Sequence, residues 1–413
     1  MAIFLGAKGG DILATRSVTD LMAGLKGKLD EKMAYLLSGE DEDLLLGFKR
    51  RLEEELVFEE DVSARFADCM AELERVEYVD QLPDLLERFN RTATDHFARR
   101  GSVVALHELC TACYDVVMRK ALELAVAGME LDSKESPAVP YCFLAGGSAG
   151  RMEQTLGDGA EYFLVHEDYC GDFSAYFEEF AYRFIAILKL CGFASAGKRP
   201  LSGAGVWHGA GDGWRSWARN QLHHGWDGLS AGLASLADLR GICGDETMIA
   251  DLTRFARNVL MEEQQSETFT PAMRKLSSMP VALGMFGGFR VSRSGEHRGE
   301  FDLEAFALNP LVMNVRILAI RHGLAETGTV GRIKALLDGG HLGVELAERL
   351  LNAYHIVTRQ KIIMEIVHGA VMTEGFFLNP EDLSAEEAHR LKIGLEAVLS
   401  LQRIVYQSFA EQG

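Results

Sequence analysis

The sequence predicts an α+β chain, predominantly helical, with a small sheet set between helical segments. Three observations lead there. Long stretches toward both ends carry apolar residues at helical spacing, while two short apolar runs near the middle, YCFLAGGSAGR and EYFLVHED, are punctuated by glycine. At 413 residues the chain also exceeds what one core usually holds. The divisions expected are an acidic helical module over 1–80, a mixed domain over 81–240 and a helical domain over 241–413.

In order, Leu45, Phe48, Leu52 and Leu56 recur at helical spacing within DLLLGFKRRLEEEL, an amphipathic helix with an acidic outer face. Pro83 suits the opening turn of a second helix, PDLLERFNRTATDHFARRG, and a third runs from about Ser102 to Met129. Two prolines in DSKESPAVP break the pattern. The two short runs then read as strands and DFSAYFEEFAYRFIAILKLCGF as a helix; a Gly- and Trp-rich stretch follows, holding Trp207, Trp214, Trp217 and Trp226. Beyond about residue 245 helices return. Asn309-Pro310 reads as an N-cap with proline at the first helical position, DGGH at 338–341 as a turn, and Ser384 to Glu387 as a capping box.

Composition removes several classes of function. The 42 basic against 61 acidic side chains leave a net charge of −19, which repels duplex DNA and anionic membranes. Seven scattered cysteines make no disulfide framework, and Cys110-x-x-Cys113 lies in a helical pattern without the second pair a zinc site needs. No signal-peptide core is evident, and Arg183 and Lys189 interrupt the most apolar run, so a soluble, cytoplasmic protein is expected, with neither nucleic acid nor membrane as partner.

The chemistry concentrates in LAGGSAGRMEQTLGDGAEYFLV, residues 144–165. A strand ending in Gly146-Gly147-Ser148 lets the backbone approach a ligand closely. If a helix starts there, its first amides and the Ser148 hydroxyl make an anion cradle, with Arg151 one turn on to neutralise phosphate charge. A plain strand-to-helix turn would carry the same residues.

Gly147, Ser148, Gly150, Arg151, Glu153, Thr155 and Leu156 fall on the G-S-x-G-R-x-E-x-T-L pattern of a nucleotidyltransferase family related to the PII-protein uridylyltransferases, within the polymerase-β-like superfamily. The helix VVALHELCTACYDVVMRKALELA, the element DLRGICGD at 238–245, and the segments FDLEAFALNPLVMNVRILAIRHGL, TVGRIKAL and LSAEEAHRLKIGLEAVLSLQRIVYQSF also resemble this family, over roughly residues 80–410. The resemblance implies a polymerase-β-like sheet over 81–240 and a helical-bundle C-terminal domain. It implies that Gly147, Ser148, Gly150, Arg151, Glu153 and Thr155 bind a nucleoside triphosphate. It implies too that Mg²⁺ or Mn²⁺ is held by an Asp-x-Asp pair and a third carboxylate, and that the nucleotidyl group passes to a protein acceptor of PII type. Here the first Asp position is Gly159 and the second Glu161; Asp158 stands one place early, and Asp238 corresponds to the third. Glu161 and Asp238 are thus the expected catalytic and metal-holding residues, with Asp158 a possible substitute. The incomplete dyad keeps a second reading open: a catalytically inactive nucleotide-binding signalling or scaffold protein.

Other residues have plainer readings. The tryptophans suit either base stacking or loop anchoring. His223-His224 with Asp227, and His166-Glu167-Asp168, are surface or loop residues before they are metal ligands. Arg316, Arg321 and Arg332, with Asp302 and Thr329, are expected first as structural ion pairs. Residues 151–180 hold one basic and eight acidic side chains, a concentration that would repel a triphosphate unless divalent cations intervene.

Overall fold

A computed structural model describes residues 39–134, 139–157, 161–167, 174–193, 206–222, 226–284, 287–369 and 375–409. Helices dominate it around a small mixed sheet, the α+β class expected.

The first described helix, α1 (Gly39–Glu74), buries Leu52, Leu56, Val62, Phe66 and Leu73 at helical spacing; Phe48, at 50 % exposure, falls off that face. It packs on α2 (Leu82–Arg100) and α3 (Val103–Leu131). Pro83 lies in the first turn of α2, Gly101 ends that helix in the left-handed region, and Ser102 caps α3 by accepting from the Ala105 amide. Both Cys110 and Cys113 are fully buried on α3, and burial pushes the Cys113 thiol well above its usual pKa.

The sheet holds β1 (Tyr141–Gly146), β2 (Glu161–His166), β3 (Val206–Ala210) and β4 (Arg240–Gly244), in the order β3-β2-β1-β4. β1 is antiparallel to β2 and β4, while β2 and β3 are parallel. Phe143 and Tyr162 share one face and meet Phe184 on helix α5 (Ser174–Leu190). Phe163 points the other way, against Trp214 and Trp217 on α6 (Gly211–Gln221). Covering both faces explains why β1 and β2 read as unbroken apolar runs. The Trp-rich stretch supplies β3 and α6. Trp214 is fully buried among Phe163, Trp217 and Phe255, so this ring anchors the core. Helices α7 (Trp226–Ala237) and α8 (Glu246–Glu263) complete this layer on β1 and β4, so the division drawn after residue 240 falls inside β4.

The remaining helices are α9 (Phe269–Ser277), α10 (Asn309–Arg321), α11 (Thr329–Asp338), α12 (Val344–His368) and α13 (Ala385–Ser408), with a two-stranded ladder of β5 (Phe301–Asp302) and β6 (Phe377–Leu378). The Ser384–Glu387 capping box forms as expected. Asn309 is not an N-cap: a π-helical turn at Glu304–Leu308 leads into α10, and Asp302 accepts the Glu304 and Ala305 amides, both at 3.0 Å. Pro310 donates no amide bond, and the wider π turn before it accommodates that loss.

Candidate nucleotide site

The turn after β1 is built by close approach. Gly147 takes φ +60°, and Gly147–Gly150 form one helical turn, α4, closed by the Arg151 amide on the Gly147 carbonyl. A single turn sums few peptide dipoles, so the field at its N-terminus is weak. A Cβ on Gly150 would stand 1.8 Å from the Asp238 carbonyl oxygen and 2.8 Å from that of Ala145. Gly150 therefore serves backbone packing between α4 and the end of α7. Ser148 is half-buried at the turn's surface, and Gly146 pairs in register with Glu161, bringing that carboxylate to the same end of the sheet.

The motif's charged side chains turn toward the C-terminal helices. Asp238 is fully buried, and its carboxylate accepts from three guanidiniums: Arg151 Nη1 at 2.7 Å, Arg316 Nε at 3.0 Å and Arg332 Nη1 at 2.7 Å. Burial alone would raise its pKa, but Arg316, Arg332 and Arg151 outweigh that and hold it well below the usual carboxylate range. Burial disfavours the Arg151 cation, yet Glu153 and Asp238 more than offset this and raise its pKa. Glu153 accepts from Arg151 Nε at 2.6 Å and also takes the Thr329 amide and hydroxyl, so a motif carboxylate caps the N-terminus of α11. Thr155 donates to Glu365 at 2.8 Å and accepts from Lys361 at 3.3 Å, both on α12. Arg151, Glu153 and Thr155, expected to touch nucleotide, are thus engaged as joints between the sheet layer and α10–α12.

Glu161 is half-buried and accepts from Ser235 Oγ; desolvation raises its pKa, only partly countered by that hydrogen bond. Asp158 and Gly159 lie outside the described residues. Among the described residues no three His, Cys, Asp or Glu side chains gather to hold a metal ion. Asp238, with both oxygens occupied by arginines, and Glu161, with its ionised form disfavoured, do not fit the divalent pair expected of them. His223, His224 and Asp168 also lie outside the described residues, as does the Asp227 side chain, while His166 stacks on Phe177 at 4.1 Å.

Between the motif and α12 lies a cavity of about 190 Å³, bounded by Ser148, Arg151, Glu153 and Thr155 on one side and by Tyr354, Thr358 and Lys361 on the other. His107 on α3 closes it: its Nδ1 meets the Gln154 carbonyl at 2.9 Å, so Nε2 is the acceptor for the Tyr354 hydroxyl at 3.1 Å. Sequence reading missed Ser235, Tyr354, Thr358 and Lys361. Only Lys361 carried a signal, since Lys and Glu four apart within QKIIMEIV mark a charge pair inside an apolar run.

The sheet thus closes its first strand with a Gly-Ser turn and sets the Glu161 carboxylate opposite that turn on the antiparallel second strand. Residues 87–228 match the family model described as Putative nucleotidyltransferase DUF294, and residues 266–409 the model described as Putative nucleotidyltransferase substrate binding domain. The chain belongs to this nucleotidyltransferase family. Membership supports nucleotidyl transfer in its general form, with a nucleotide as substrate and a divalent metal as the family's usual cofactor. No curated protein matches the chain. No helix among the described residues is long and apolar enough to cross a membrane.

Proposed function

We propose that this chain binds a nucleoside triphosphate by its phosphates at the Gly147-Ser148 turn and works as a nucleotide-responsive signalling or scaffold protein, with two-metal transfer weak or absent. The observation that carries this is the state of Asp238: buried, ionised and clamped by Arg151, Arg316 and Arg332, it serves the joint between domains. The turn itself remains half-exposed beside Glu161, and its first amides have no partners within the helical turn.

The second reading is transfer of a nucleotidyl group to a protein acceptor of PII type. It is favoured by the two family matches, which span both the turn and the helical region facing it. Mg²⁺ or Mn²⁺ would then be needed beside Glu161, with Asp158 as the further ligand. Purified protein is incubated with Mg²⁺ or Mn²⁺ and each labelled triphosphate, with and without a PII-type protein, while thermal stability is followed in parallel. Stabilisation by nucleotide without labelling is expected. Label on any protein, lost on Glu161→Gln, would overturn the non-catalytic reading. Neither stabilisation nor label with any nucleotide would overturn both.

A further inference from the structure

The cavity facing the motif is too small for a whole nucleotide. Its volume of about 190 Å³ lies below the roughly 300–1,000 Å³ of pockets for complete small-molecule ligands. It has room for roughly six waters at about 30 Å³ each, the bulk of one sugar ring or one phosphate.

Charge decides between those two. Arg151 and Lys361 in the lining are matched by Glu153 and Glu304, each cation already in contact with its carboxylate at 2.6 Å and 3.3 Å. Buried Glu365 stands 3.5 Å from the same ammonium. A phosphate would meet at least as much negative as positive charge there. The atom that lacks a partner is uncharged. Thr358 is 2 % exposed and lines the cavity, and its Oγ1 has no hydrogen-bond partner among the described residues. A buried hydroxyl left so is costly, and native proteins supply its partner from solvent or ligand. The polar residues Ser148, Thr155, Tyr354 and Asn309 continue the same lining.

We propose that this cavity takes the ribose of the bound nucleotide, with Thr358 Oγ1 bonded to a sugar hydroxyl. The inference rests on nucleotide binding at the Gly147-Ser148 turn. Ser148 belongs to both turn and cavity, so a ribose seated there is next to a 5′-phosphate at the turn. Helix α12 thereby distinguishes ribonucleotides from sugars without the hydroxyls.

The test is calorimetric titration of the full chain with the four ribonucleoside triphosphates, their 2′,3′-dideoxy counterparts and inorganic tripolyphosphate. Ribonucleotides are expected to bind about five- to tenfold tighter than dideoxynucleotides, the value of one neutral hydrogen bond or slightly more. Thr358→Val should abolish that ratio, Thr358→Ser should keep it, and neither should change tripolyphosphate binding. Equal affinity of the native protein for ribo- and dideoxynucleotides would overturn the ribose assignment while leaving nucleotide binding intact. Tripolyphosphate weakened by Thr358→Val as much as ribonucleotide would also overturn it, assigning the cavity to phosphate. No binding of any nucleotide would instead remove the reading on which it rests.

Discussion

Asp238→Asn distinguishes an interdomain clamp from a metal ligand, because the two roles predict opposite signs. The native carboxylate is fully buried and bonded to Arg151, Arg316 and Arg332 at 2.7–3.0 Å, with a further Arg316 contact at 2.5 Å. Asparagine keeps the shape and removes the charge, leaving buried Arg316 and Arg332 and half-buried Arg151 with Glu153 as the remaining carboxylate of the group. Removing one partner from a buried ion network costs about 3–5 kcal/mol. In urea this appears as a lower midpoint with an unchanged slope, and on heating as a fall in Tm of about 3–6 °C for a chain of 413 residues. The measurement is made in chelator and again with Mg²⁺. A metal ligand predicts the reverse in chelator, since removing one carboxylate from an empty cation site relieves repulsion. A loss under about 1 kcal/mol, or a gain in chelator, would refute the clamp. Acidification gives a second check. The folded-state pKa of Asp238 is depressed, so its stabilisation is fully present above the unfolded value of about 3.9 and is lost as pH falls toward the folded value. The native protein should therefore weaken below about pH 4 more steeply than the Asn variant.

Two further substitutions probe the turn. Gly150→Ala places a methyl 1.8 Å from one backbone carbonyl and 2.8 Å from another, neither able to swing aside, so its cost should exceed the ~1–3 kcal/mol of ordinary overpacking; a variant with native melting behaviour would contradict the close approach. Glu161→Gln should be more stable than the native protein at pH 7 yet little different at pH 4. The raised folded pKa of Glu161 makes its relative stabilisation complete below the unfolded value of about 4.3 and lost as pH rises through the folded value. Urea midpoints at the two pH values decide, and a native protein more stable than the variant at pH 7 would count against a strained Glu161.

Much of the fold was legible because its cues are local. The capping box at Ser384, Pro83 at the start of α2 and the apolar runs of β1 and β2 are each set by neighbours within a few residues. Strands β3 and β4 were not legible. VWHGA and RGICG are short and rich in glycine, and they become strands only because β2 and β1 offer them hydrogen-bonding edges. Asn309-Pro310 misled because Asp302, seven residues earlier, supplies the cap before a π turn.

The sequence by itself determined the family, the Gly-Ser turn and the gap in the carboxylate dyad at Gly159, since each is a matter of residue identity at fixed spacing. Only the tertiary structure decided what the motif's charged residues do. Arg151, Glu153 and Asp238 lie within one 88-residue stretch, but their partners Arg316, Thr329 and Arg332 come from α10 and α11. A guanidinium bonds phosphate or carboxylate equally well in chemical terms; folding sets which lies within reach and how much water is excluded around it. Here it brings Asp238 to Arg151 in a dry joint, so residues that spell a nucleotide motif along the chain also hold its two halves together.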